Sequence, residues 1–271
     1  MVQHLIVPVD GSDASWRAVD VAVGLARRTD ASIDVIEVVF DQGDVAEATA
    51  RVEERIDQHD TAGVTVATHV LMAAESVAEA IGNQVEQHPE VTVVLASHGR
   101  GRSAALLGSV TQELLERIFG PVLVVGPRVH TADFTGPIIA TVDGSEASES
   151  VLPLAAAWGI ELGAEPWIIE VADPDVTMSG DVGEASYPAR LARKLTSSSK
   201  HPVQFEVLHG EHVHDEVADF AASLRASIIV ASTRGRTGMS RFVIGSTASA
   251  IVRHAPCPVL LVRPPHLAPL Q

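Results

Sequence analysis

The chain has 271 residues, which at about 100–200 residues per domain is enough for two domains, and its 46% hydrophobic content can supply a core to each. A formal charge of −16 excludes nucleic acid or an anionic membrane as the main partner, because neither attracts an acidic surface. The lone cysteine, Cys257, excludes an intramolecular disulfide and suits a reducing, cytoplasmic setting; flanked by prolines in an apolar run, it is expected to be a packed core thiol. The apolar run that follows Met1-Val2-Gln3-His4 lacks a preceding basic segment and stops at Asp10, so neither a signal peptide nor a membrane helix is expected. Lysine occurs only at Lys194 and Lys200, so positive charge at any anion site must come from arginines such as Arg100, Arg102, Arg234, Arg236 and Arg241.

Leu5 to Val9 is a short apolar run closed by Asp10-Gly11-Ser12, the pattern of a strand followed by a turn or helix start. Pro8 cannot donate to a ladder, so it should lie near the end of that strand, where pairing runs out. Trp16, Val19, Val23 and Ala26 recur at helical spacing with polar residues between them. Ser32 to Val39 reads as a second strand, Val45, Val52 and Ile56 as a helix, and Val64, Val66 and Val70 as an edge strand alternating with Thr65, Ala67 and His69. Val77, Ile81 and Val85 mark another helix, and Val91 to Ala96 is a near-continuous apolar strand of the parallel-sheet type. After Ser97-His98-Gly99-Arg100-Gly101-Arg102 come Gly108-Ser109, a helix carrying Val110, Leu114 and Ile118, and a last strand through Val125. This alternation predicts a doubly wound α/β domain with a parallel sheet covered on both faces.

The pattern lapses over residues 128–136 and then restarts, with Val142-Asp143-Gly144-Ser145 repeating Val9-Asp10-Gly11-Ser12 133 positions later. The expected boundaries are therefore 1–127 for the first domain, 128–136 for a linker, 137–265 for the second domain and 266–271 for a tail. Pro153 requires the next helix to start near Ser150, so that proline falls in its first turn. Trp167 to Val171 is the second strand of the repeat; Ala172 to Tyr187, longer and richer in turn residues than its counterpart, is expected to be a mobile loop. Val203, Phe205 and Val207 alternate as an edge strand should, and Pro258 to Val262 closes the copy. Each copy ends in an almost wholly apolar strand, which would invite aggregation on an open edge. Pairing of Val122–Val125 with Val259–Val262 across an intrachain pseudo-two-fold axis removes both edges.

Between the strand at Ile228-Ile229-Val230 and the helix-like Thr247 to Arg253 lies Ser232-Thr233-Arg234-Gly235-Arg236-Thr237-Gly238, running on to Gly245-Ser246. A glycine loop between strand and helix can aim backbone N–H groups at an anion, and the helix adds its positive end, so phosphate binding needs no lysine. The same order also describes a plain glycine-rich connector.

The Val-Asp-Gly-Ser starts, the apolar strands running into glycine loops, the Gly-Ser helix starts and the Ala255-Pro256-Cys257-Pro258-Val259 ending together resemble the universal stress protein family, in both halves. The resemblance implies two tandem flavodoxin-like domains, of the adenine nucleotide alpha hydrolase-like kind, each with five parallel strands. It implies an adenine nucleotide at the strand C-terminal ends, ATP or another, with Mg as an option beside the phosphates. Nucleotide-binding members carry Gly, two residues, Gly, nine residues, Gly, then Ser or Thr. The second copy places Ser232 at the first glycine, Gly235 at the second, then nine residues before Gly245 and Ser246. The first copy places Ala96 at the first glycine and Gly99 at the second, but only eight residues precede Gly108 and Ser109. The second site is therefore expected to bind more readily than the first.

By this resemblance Asp10 and Asp143, with Gly11 and Gly144 beside them, meet the adenine amino group, and the backbone at Val38 and Val171 meets the base edge. Gly99 and Gly235 let backbone approach ribose and phosphates. Ser109 with Val110, and Ser246 with Thr247, offer hydroxyl and free N–H groups, and Arg100 and Arg236 add charge unless they are plain surface arginines. An Asp-Gly-Ser after a strand is also an ordinary turn or cap.

His209-Gly210-Glu211-His212-Val213-His214-Asp215 invites a metal reading, but it crosses from a strand into a helix start, and no metal site is expected. His98 borders the first loop and is expected to be satisfied locally. No P-loop occurs, and no nucleophile, base and third residue can be placed at one site, so no dedicated catalytic machinery is expected beyond weak ATP hydrolysis. The functional expectation is a tandem stress-response or signalling protein that binds adenine nucleotide as an intrachain pseudo-dimer, with homodimerisation open. A nucleotide-free interaction module and a slow ATPase are the alternatives.

Overall fold

The computed structural model describes residues 2–88, 90–99, 107–118, 120–130, 132–172, 186–233 and 244–264. The first half runs β1 (His4–Val9), α1 (Asp13–Thr29), β2 (Ser32–Val39), α2 (Val45–Ile56), β3 (Val66–Met72), α3 (Val77–Glu86), β4 (Thr92–Ala96), α4 (Ser109–Arg117) and β5 (Val122–Val125). The second runs β6 (Ile138–Val142), α5 (Glu146–Glu149), α6 (Leu152–Leu162), β7 (Pro166–Ala172), α7 (Ser186–Ser199), β8 (Gln204–His209), α8 (Val213–Leu224), β9 (Ile228–Ser232), α9 (Ser246–His254) and β10 (Val259–Val262).

All the strands join one ten-stranded sheet in the order β3-β2-β1-β4-β5-β10-β9-β6-β7-β8. Among the described residues pairing is parallel within each half and antiparallel only between β5 and β10, where Val122, Leu123 and Val124 face Leu261, Leu260 and Val259. The two apolar last strands thus cover each other, as their composition demands. The outer strands β3 and β8 each have one neighbour, and β8 keeps Gln204, Phe205 and Glu206 exposed. Pro8 pairs with Ile36 of β2, while the ladder to β4 involves only Leu5 and Ile6, so the missing N–H falls where β1 is paired on one side.

Successive side chains of a strand point to opposite faces, and two continuous cores follow. Leu5, Val7, Leu123, Leu260 and Ile138 pack on one face beneath α1, α2, α6 and α7; Ile6, Val124, Val259 and Ile139 pack on the other beneath α3, α4, α8 and α9. Both cores run through the seam. Outside the sheet, Arg28 donates to the Leu162 carbonyl at 2.8 Å, and Arg263 donates to the Glu116 carbonyl near the end of α4, also at 2.8 Å. Gly126 comes so close to α9 that a β-carbon there would strike the Val252 carbonyl.

Between the two halves, Val129 and Phe134 are fully buried in the core, with Phe134 held at φ 54°. The helical segment after β6 is split into α5 and α6, and Pro153 falls in the first turn of α6, as its missing N–H requires. The loop expected over Ala172 to Tyr187 loses both ends, because Ala172 closes β7 and Tyr187 lies in α7; residues 173–185 lie outside the described residues. α7 itself was not legible. Its buried Leu191, Ala192 and Leu195 are followed by Thr196-Ser197-Ser198-Ser199, weak helix formers that blur the period.

Candidate functional site

Each half opens a cavity at the C-terminal ends of its central strands, the place where open α/β sheets hold ligands. Since the halves meet antiparallel, the two cavities lie at opposite ends of the sheet. Their volumes are about 390 Å³ in the first half and about 380 Å³ in the second. Such volumes fall in the usual small-molecule range of about 300–1,000 Å³.

The turn that floors each cavity is built the same way twice. Gly11 has φ 80° and Gly144 φ 85°, a left-handed conformation that glycine adopts without penalty. This turn lets Asp10 Oδ1 accept from the Ser12 N–H at 3.0 Å and the Ser12 hydroxyl at 2.6 Å; Asp143 Oδ1 accepts from Ser145 at the same two distances. Ser12 and Ser145 in turn cap α1 and α5, accepting from the N–H groups of Ser15 and Ser148. The aspartates therefore do brace a capped turn, and both also line their cavities. Ser15 and Ser148 donate back to the carbonyls of Ser12 and Ser145 and line the cavities too. Sequence reasoning passed over these serines, although Asp-Gly-Ser-x-x-Ser recurs intact in both copies.

The opposite lip of each cavity is a helix start. Gly108 and Gly245 are the N-caps of α4 and α9, with φ near −60° and no side chain to bond the first-turn N–H groups. Their own N–H groups donate to Ser97 O and Thr233 O at 2.8 Å, which pins each lip to the end of its strand. Ser109 with Val110, and Ser246 with Thr247, follow into the cavities. Those N–H groups have no carbonyl four residues earlier in the helix, so they are available to an anion.

Of the residues expected at the site, Asp10, Val38, Gly99, Gly108, Ser109 and Val110 come together around the first cavity, and Asp143, Val171, Ser232, Gly245, Ser246 and Thr247 around the second. Gly11 and Gly144 shape the turns and do not line the cavities. Arg100, Gly235 and Arg236 lie outside the described residues. Ser232 sits in β9 and is not among the residues with positive φ, so serine is compatible with that position. A β-carbon at Gly99 would fall on the Asp10 carboxylate, so a larger residue there would displace that side chain from the cavity floor. His98 lines the first cavity, its Nδ1 3.0 Å from the Ser97 hydroxyl.

The cavities differ in polarity at matching places. Pro8, Leu95, Ala96 and Val110 in the first are Thr141, Ala231, Ser232 and Thr247 in the second. In the other direction, Thr111 of the first is Ala248 in the second, so the second lining carries more hydroxyls on balance, although the two cavities are nearly equal in volume. Beside the second turn, Tyr187 donates to Glu149 Oε1 at 3.0 Å; burial and then this carboxylate push its phenol up, so it remains a protonated donor.

The model of the Universal stress protein family matches residues 1–126 and again 135–263. A universal stress protein of Mycolicibacterium smegmatis is 30% identical over 217 residues, covering 76% of this chain and 71% of that one. The crystal structure of a universal stress protein from Archaeoglobus fulgidus superposes with a TM-score of 0.68 at 19% identity, covering 96% of this chain and 98% of the other. Another Archaeoglobus fulgidus universal stress protein, in complex with dAMP, matches 48% of this chain and 98% of its own, at 24% identity and a TM-score of 0.37. With the family model matched twice end to end, on two copies of one flavodoxin-like fold, the chain belongs to the universal stress protein family as a tandem member.

Proposed function

We propose that this chain binds an adenine nucleotide, ATP above all, and serves as a stress-response or signalling protein rather than a dedicated enzyme. The observation that carries the reading is the second cavity, where the carboxylate of Asp143, the strand end at Val171 and the uncapped start of α9 face one space of about 380 Å³. An adenine ring offers an exocyclic amine, which suits the Asp143 carboxylate, and an apolar face, which suits Ile169 and Val171. Phosphate oxygens suit the N–H groups and hydroxyls of Ser246 and Thr247. The donor set therefore fits a nucleotide lying from the Asp143 turn to the α9 lip. Mg bound with the phosphates would neutralise their charge, which an acidic chain favours.

The first cavity is the weaker host because aliphatic groups replace hydroxyls, and its loop is one residue shorter. On this reading occupancy itself is the signal. Thermal unfolding with and without ATP tests the reading. At 100 times its dissociation constant a nucleotide should stabilise the chain by about 2.7 kcal/mol. An unmoved transition favours the nucleotide-free interaction module, and multiple-turnover phosphate release favours the ATPase.

A further inference from the structure

We propose that His214, Asp215 and His254 form a site for a divalent transition-metal ion of the zinc class, clipping the start of α8 to the end of α9. One donor atom from each residue lies within 4.8 Å of the other two. His254 Nδ1 is 3.0 Å from Asp215 Oδ1, and His214 Nε2 is 3.8 Å from Asp215 Oδ2. The His214 and His254 rings meet edge to face with centroids 4.4 Å apart, and His212 stacks on His214 at 5.8 Å. Among the described residues no other three His, Cys, Asp or Glu side chains bring donor atoms this close together.

The donor chemistry selects the ion. Two imidazole nitrogens and one carboxylate oxygen suit zinc, cobalt, nickel or copper, whereas calcium and magnesium prefer all-oxygen shells. A tetrahedral zinc ion holds N and O ligands at about 2.0–2.2 Å, which sets ligand atoms roughly 3.5 Å apart. The two histidine–aspartate separations, 3.0 and 3.8 Å, bracket that value, none of the three side chains is buried, and rotation about their χ angles would bring the donors to one ion, with water in the fourth position.

No metal was expected from the sequence, because spacing along residues 209–215 offers only His212 and His214 as a strand-like pair. Folding changes the partners: His212 becomes the N-cap of α8, and the third donor arrives from the last residue of α9. An ion there would close a loop of roughly 40 residues and stiffen two helices whose inner faces, through Val213, Val217, Ala248 and Ile251, wall the second cavity. The site stands independently of the nucleotide reading.

The test uses the full chain, stripped with chelator and free of nucleotide, titrated with Zn(II) by calorimetry and with Co(II) by visible absorption. One equivalent should bind, with the intense d–d bands of a four-coordinate Co(II) site and a rise in melting temperature that EDTA reverses. His214→Ala, His254→Gln and Asp215→Asn, checked for folding by circular dichroism, should each weaken binding more than about tenfold. His4→Ala, which removes a different histidine–aspartate pair, between β1 and β2, should leave it unchanged. Absence of saturable binding, binding that survives His214→Ala and His254→Gln, or binding lost in His4→Ala would overturn the assignment.

Discussion

Leu123 of β5 faces Leu260 of β10 across the antiparallel seam, and the two residues hold the same place in their respective repeats. An element that pairs with its own counterpart marks the pseudo-two-fold axis, so the chain folds on itself as an isologous dimer would. Both side chains are fully buried. Leu260→Ala should therefore cost about 2–5 kcal/mol. Urea unfolding should lose both halves in one transition with an earlier midpoint. Two separated transitions in the parent chain would mean that the seam does not couple the halves.

The segment between the halves sends Val129 and Phe134 into the core. Phe134 is wholly buried against α1, where its ring comes within 3.5 Å of the place a β-carbon on Gly24 would occupy. Phe134→Ala should cost about 3–5 kcal/mol, far more than a flexible tether would show. A loss below about 1 kcal/mol would contradict a core role for this side chain.

Cys257 is 5% exposed, and burial pushes its thiol up to about 12. At pH 8 almost no thiolate exists, and a thiol reagent reaches the sulfur only through unfolding. Native protein should thus resist disulfide-exchange reagents for hours and react at once in denaturant. Rapid labelling of the native chain would show an open route to this strand end.

Much of this architecture could be read from residue order alone, because apolar runs, Asp-Gly-Ser turns and their recurrence 133 positions on each report a local cause. The pairing of β5 with β10 was inferable for a different reason, since two apolar strands need cover. What escaped depends on distance in the chain. α7 is helical through tertiary packing of Leu191 and Leu195, and the burial of Phe134 depends on α1. His254 meets Asp215 only because α8 and α9 lie side by side. The candidate site was legible in its turn and its lip, yet Thr141, Val213 and Val217 became visible as lining only once the strands were aligned.

Gly245 offers the sharpest test of nucleotide binding. Among the described residues a β-carbon there meets only the Thr233 carbonyl, at an ordinary 3.5 Å, and its φ of −61° suits any residue. Gly245→Val should therefore leave the fold intact while filling the lip of the second cavity. The decisive measurement is equilibrium dialysis of radiolabelled ATP against the parent chain, Gly245→Val and Gly108→Val. The parent should take up ATP with the tighter site in the second half, Gly245→Val should lose that tight uptake, and Gly108→Val should retain it. Equal uptake by the parent and Gly245→Val, or no uptake by a folded parent, would contradict the account.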